Sequence, residues 1–255
     1  VADPSNVADS AGQPWAGRRF EPNANAGDDG SAPPALIEVI ARFRAGDTDA
    51  ASVVRVFAES RLLIPLLAVL GESGVNNQGR TVDKSQELSI VTVEGPDGRT
   101  VLPVFSSVAA MTAWNPDARP VPVSGGRVAV AAVSEGTELV VLDPTTDTEF
   151  AIRRPALWCL AQEREWAPGY LDPDVMRAFG DTIVNEPAVL EVTLSAGDPE
   201  SRLRGPELMI HLLLADGLGE GVVSELVNRL TERWSHNEVI AEQVDSIGVA
   251  LHSAP

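Results

Sequence analysis

Between residues 87 and 160 short β-branched runs alternate with brief turn signals and short apolar helical runs, and this rhythm restricts the architectures open to the chain. Residues 88–94 are rich in β-branched side chains and largely alternating, the pattern of a strand with one buried face. Gly95-Pro96-Asp97-Gly98 is a turn, and residues 100–105 return from it, which predicts a hairpin. Ser106 or Ser107 caps a short helix running to Trp114, stopped by Asn115-Pro116. Val121 and Val123 predict a short strand. The Ala/Val-rich run 128–133 reads as a buried helix, with a strand as the alternative. Residues 138–142 and 150–152 predict a second hairpin, turned over 143–147.

The flanks add helices and a second unit. Pro33-Pro34 opens a helix whose apolar face is Leu36, Ile37, Ile40 and Phe43 or Arg44, and Gly46 ends it. Asp47 or Thr48 is the expected cap of a second helix carrying Val53, Val54 and Phe57. The run 61–70 is nearly all apolar, as in a buried strand, but its Pro65 calls for an edge position or a bulge. Residues 161–171 read as a linker. Asp172-Pro173 then restarts a helix, followed by an alternating strand at 189–194 and an apolar central strand at 208–214. The helix at 220–234 places Val222, Leu226, Leu230 and Trp234 four apart and makes Glu225 and Arg229 a favourable pair. Residues 247–251 form the last strand. The expected fold is α+β, two α/β-sandwich-like domains with mixed sheets preceded by an extended arm: the arm (1–32), a larger α+β domain (33–165) and a small α-β-β-α-β domain (170–255).

Several pieces of this pattern, KSQEL (84–88), PDGRTVLPVFSS (96–107), ARPVP (118–122) and LVVLDP (139–144), resemble the SseB family. PWAGRRF and AGDDGSA in the arm are similar to its actinobacterial branch. The resemblance covers roughly residues 14–172 and continues more loosely to the end. It implies an SseB N-terminal-like domain followed by a smaller one, and no assigned reaction. Lys84, Ser85, Gln86, Arg99, Trp114 and Arg119 lie in these stretches at strand starts and turns, where binding groups collect on a rigid scaffold; they are the candidate ligand- or partner-binding residues.

The arm is poor in large apolar side chains, and its composition predicts disorder in isolation. Trp15, Arg18, Arg19 and Phe20 are the side chains by which it would dock on the body or on a neighbouring molecule. The net charge is −18, with −8 on residues 1–165 and −10 on the shorter remainder. That excess of acid offers no basic patch for nucleic acid; it serves solubility or a basic partner. No apolar run approaches the ~18 residues of a membrane span. The single cysteine excludes an internal disulfide and makes the cytoplasm the simplest location.

Apparent motifs fail on inspection. In the stretch from Gly79 to Lys84-Ser85, Asp83 stands where a phosphate loop needs its second glycine. In Asp216–Gly221, Val222 replaces the last glycine of a dinucleotide fingerprint, and Glu220 would face the pyrophosphate. Asp28-Asp29-Gly30 lacks the further acids of a calcium loop. His211, His236 and His252 have no paired spacing, so no metal is expected. Cys159 reads as a buried structural thiol, and no serine-hydrolase elbow is present. The expected function is a cytoplasmic, non-enzymatic interaction or regulatory protein with a protein partner, without cofactor, metal, nucleic acid or membrane. A metabolite-binding sensor is the alternative and an enzyme the third reading.

Overall fold

The computed structural model describes residues 27–69, 74–75, 81–82 and 87–254. In chain order the elements are α1 (Pro34–Ala45), α2 (Ala50–Glu59), β1 (Arg61–Val69), β2 (Gly74–Val75), β3 (Thr81–Val82), β4 (Glu87–Ile90), β5 (Val93–Glu94) and β6 (Thr100–Val104). Next come α3 (Val108–Trp114), β7 (Arg119–Ser124), α4 (Gly125–Ser134), β8 (Leu139–Leu142), β9 (Phe150–Ile152) and α5 (Arg154–Ala161). The chain continues through α6 (Pro173–Ile183), β10 (Val189–Ala196), β11 (Leu208–Leu214), α7 (Glu220–Ser235), α8 (Glu238–Gln243) and β12 (Ile247–Ser253). The class is α+β, with sheets ordered β4-β1-β7, β2-β3, β5-β6-β8-β9 and β10-β11-β12.

Local chemistry starts the helices where polar caps stand. Ser107 accepts from the Ala110 amide to begin α3, and Asp172 accepts from Asp174 and Val175 to begin α6, with Pro173 in its first turn. The cap of α2 is Asp49 rather than Asp47 or Thr48, because only the Asp49 carboxylate reaches the Ser52 amide. Gly125 lets α4 approach α2, since a Cβ there would overlap the Phe57 carbonyl.

Two expectations about strands are corrected. Residues 88–94 are not one strand: Ile90 pairs with Leu66 of β1, whereas Val93 pairs with Val101 of β6, so the chain changes sheets between them. Pro65 sits neither at an edge nor in a bulge, for β1 is the centre of its sheet and runs in unbroken register with β7, Pro65 facing Pro120. Leu63 exchanges both backbone bonds with Phe105, and β4 pairs only from Leu66 onward. By strand alternation the N–H that Pro65 lacks would point into the gap between those two partners, where no ladder bond is lost.

Two large clusters of buried side chains form the cores. The first is drawn from residues 36–166 and packs Leu36, Val53, Phe57, Val128 and Leu157 of the helices with Leu102, Val104, Val140 and Leu142 of β6 and β8. The second is drawn from residues 170–249 and joins Val175 and Phe179 of α6 and Leu226, Leu230 and Trp234 of α7 to Leu208, Ile210 and Leu212 of β11. Val222 stays 52% exposed, so the buried stripe of α7 is one residue shorter than its four-residue spacing implies. Arg229 pairs with Glu186 ahead of β10 at 2.9 Å instead of Glu225, because Glu186 is buried and gains more from a cation. A smaller cluster bridges the two parts: Leu203, from the loop before β11, packs on Val101, Leu139, Val141 and Ala151.

Candidate functional site

Arginines of the first part grip the second. Arg153, at the N-cap of α5 and 7% exposed, donates to Asp198 at 2.8 Å, to the Gly205 carbonyl at 2.8 Å and to Asp245 at 3.3 Å. Arg99, in the turn before β6, takes both oxygens of Asp245 at 2.8 and 3.0 Å. Arg154 donates to the Ala241 and Val244 carbonyls at the end of α8, the charge a helix C-terminus favours. Arg44 donates to the carbonyls of Glu149 and Glu200. The loop between β10 and β11 is thereby held over the first part, and the backbone bond from Ala151 to the Ser201 carbonyl extends the contact.

The electrostatics follow from burial and pairing. Burial alone would raise the Asp245 carboxyl, but the hydrogen bonds and charge of Arg99 and Arg153 outweigh it and hold the group below the ordinary range. Glu207 lacks such a partner. Burial pushes its carboxyl up to about 7, and the Asp245 amide donating to it offsets only part of that.

Three recesses lie along this junction: an open one of about 520 Å³ beside Arg99, Arg153, Leu203 and Asp245, and two beside α5. Of those two, one is a cavity of about 50 Å³ whose walls include Phe43, Phe150, Trp166, Tyr170 and Glu207. That volume takes a few waters, against the ~300–1,000 Å³ of a typical small-molecule site. The other is a groove of about 240 Å³ between α5, the 162–172 connection and the end of α8, walled by Trp158, Cys159, Trp166 and Gln243. Glu165, Asp172 and Glu242 line it against one cation, Arg164, so its field is negative. Trp166 Nε1 and Gln243 Oε1 are buried without a hydrogen-bond partner among the described residues. Burying such groups without partners is costly. Trp158 is exposed with Arg154 stacked 5.1 Å from its ring centre, and Val130 and Val133 are exposed on the neighbouring α4. Cys159 is half-buried at the groove wall rather than fully buried, and burial raises its thiol pKa.

Of the candidate binding residues that are described, Arg99, Trp114 and Arg119, Arg99 lies at this junction. Trp114 packs against Phe105 with ring centres 5.2 Å apart, and Arg119 is exposed at the start of β7. No hydrogen bond or ion pair of the described residues joins these two to Arg99. Lys84, Ser85 and Gln86, and the arm residues Trp15, Arg18, Arg19 and Phe20, lie outside the described residues. Sequence reasoning missed Arg153, Asp198 and Asp245, whose pairs with one another and with Arg99 span 45 to 146 positions, and Glu207, which accepts from the Asp245 amide 38 positions away. The one local signal was the pair of adjacent cations Arg153-Arg154 between a strand and an apolar helix.

Among the described residues no helix is long and apolar enough to cross a membrane, and no group of three or more His, Cys, Asp or Glu is placed to hold a metal ion. No curated protein and no solved structure matches the chain. Residues 36–159, from α1 to Cys159 at the groove wall, match a family model and are similar to the SseB protein N-terminal domain.

Proposed function

We propose that the whole chain is an interaction or regulatory protein of the SseB type, acting in the cytoplasm, and that the junction groove receives a basic, extended segment of a protein partner. The observation that carries this reading is the groove's lining, Glu165, Asp172 and Glu242 against Arg164 alone, beside the exposed Trp158 ring. Lys or Arg side chains of an extended segment meet the acids and the Trp158 face. A metabolite sensor at the junction is the second reading: the cavity of about 50 Å³ has no room for such a ligand, and the open recess of about 520 Å³ has the size but meets Arg99 and Arg153 already paired with Asp245.

Fluorescence polarisation with labelled peptide libraries of either charge tests the reading. Basic peptides are expected to bind, and the double variant Trp158→Ala, Glu242→Lys to weaken them by about tenfold or more, as for loss of an aromatic anchor and a charge. Binding of acidic and basic peptides alike, or of neither, would refute it.

A further inference from the structure

The uncovered face of the β10-β11-β12 sheet carries a hydrogen-bonded chain that the spacing of the histidines does not reveal. Ser195 Oγ lies 2.8 Å from His211 Nε2, and His211 Nδ1 lies 3.1 Å from His252 Nε2. The strand register produces it. Thr193 and Ala250 flank His211 directly, so Ser195 and His252, each two residues further along, stand diagonally on either side of it on the same face. The two imidazole centres are 5.3 Å apart with planes differing by 25°. With the nitrogens so close, the rings meet edge to edge near one plane, as a ring-to-ring hydrogen bond requires, and do not overlap face to face.

We propose that Ser195, His211 and His252 form a serine–histidine–histidine relay in which Ser195 is a nucleophile toward small, uncharged acyl esters. This goes beyond the interaction reading, uses none of the groove residues, and runs against the expectation of a chain without enzymatic chemistry. In the productive tautomer Ser195 Oγ–H donates to His211 Nε2, and His211 Nδ1–H donates to His252 Nε2. Ser195 Oγ attacks the ester carbonyl carbon as its proton passes to His211 Nε2, and the carbonyl π electrons move to oxygen. Collapse re-forms the carbonyl and breaks the bond to the alkoxy oxygen, which leaves as alcohol with the proton from His211. Water then repeats the sequence on the acyl-serine, releasing the carboxylic acid and restoring Ser195.

The surroundings define the substrate class. The Gly197 amide donates to the Glu207 carbonyl across the ladder, so by alternation the Ala196 N–H points away from β11 toward the sheet edge, next to the nucleophile. The amide after the nucleophile is a donor that serine hydrolases use for the developing oxyanion. A cleft of about 240 Å³, lined by Glu191, Thr193, His211, Leu213 and His252, opens on the side of His211 away from Ser195, which stands beside Met209. The nucleophile itself lies on the open sheet face, which gives a large acyl chain no enclosing wall, and Glu191 on the same face disfavours anionic substrates.

The test treats the full chain with a fluorophosphonate probe and, separately, with p-nitrophenyl acetate. The expected result is probe mass on the peptide containing Ser195 and ester turnover about tenfold or more above the Ser195→Ala variant. His252 is a positioning residue. Its replacement by Phe, which removes the acceptor, should slow labelling about tenfold, whereas Gln, whose amide oxygen still accepts, should stay within about threefold. Circular dichroism of each variant confirms the fold. Absence of the probe from Ser195, turnover unchanged in Ser195→Ala, or equal rates for the Phe and Gln variants would overturn the relay.

Discussion

The β5-β6-β8-β9 sheet is covered on both faces, whereas the β10-β11-β12 sheet is covered on one. Their central strands look equally apolar: LVVL in β8 and LMIHLLL in β11. In β8 every residue is buried, Val140 and Leu142 against the helices and Leu139 and Val141 beneath Leu203. In β11 only alternate residues are buried, and Met209, His211 and Leu213 face outward, half-exposed. The difference is made by one loop from the other part of the chain, clamped by Arg153 and Asp198. Apolar runs therefore say that a strand has a buried side, and a distant segment decides whether it has two.

The largest effect should come from the clamp. Arg153→Ala leaves Asp198 and Asp245 buried without their shared cation, a change that typically costs about 3–5 kcal/mol. We expect the free energy of unfolding measured in urea to fall by that amount, with hydrogen exchange accelerated first over residues 197–207. Unchanged exchange in that loop would mean that the clamp is not what covers the second face.

Leucines on the two sheets should then respond unequally. Leu203 is 6% exposed under the clamp, and Leu203→Ala should cost about 2–4 kcal/mol through lost burial and a residual cavity. Leu213→Ala, on the uncovered face, should cost less than about 1 kcal/mol. Thermal or chemical denaturation of the two variants side by side checks the ratio, and equal losses would break the comparison.

What could be read from the sequence was what depends on neighbours along the chain. The caps at Ser107 and Asp172, the 139–152 hairpin and the buried stripe of α7 all arise within a few residues. Helices α5 and α8 escaped notice because Pro155 and the short span of residues 238–243 weaken their periodic signal. The split between Ile90 and Val93 escaped because both halves alternate alike, and partner choice is a tertiary decision. The junction was illegible for the same reason: Arg99 and Asp245 meet across 146 positions, and His211 and His252 across 41. Arg99 was singled out for its place at a turn, and its observed role is to hold the two parts together.

The smallest effect is the one that separates the two carboxylates of the junction. Glu207 has a folded pKa of about 7 against an ordinary 4.5, so the fold disfavours its charged form. Its protonated form is fully compatible with the fold below pH 4.5, and stability is lost as pH rises from there through 7. Asp245 has the opposite sign. Its carboxyl is depressed below 3.8, so its contribution is present above that pH and lost as acid protonates the folded group. The junction should therefore hold best between these limits, in mildly acidic solution. Glu207→Gln removes the upper limit: its amide oxygen still accepts from the Asp245 amide, and no charge is buried. At pH 8 the variant should exceed the unmodified protein by about 1–3 kcal/mol, and below pH 4.5 the two should converge. Leu203 exchange rates should follow the same curve, because the cover it provides depends on the same clamp. A difference between the two proteins that stays constant from pH 4 to 8 would show that Glu207 acts by shape and not by its charge.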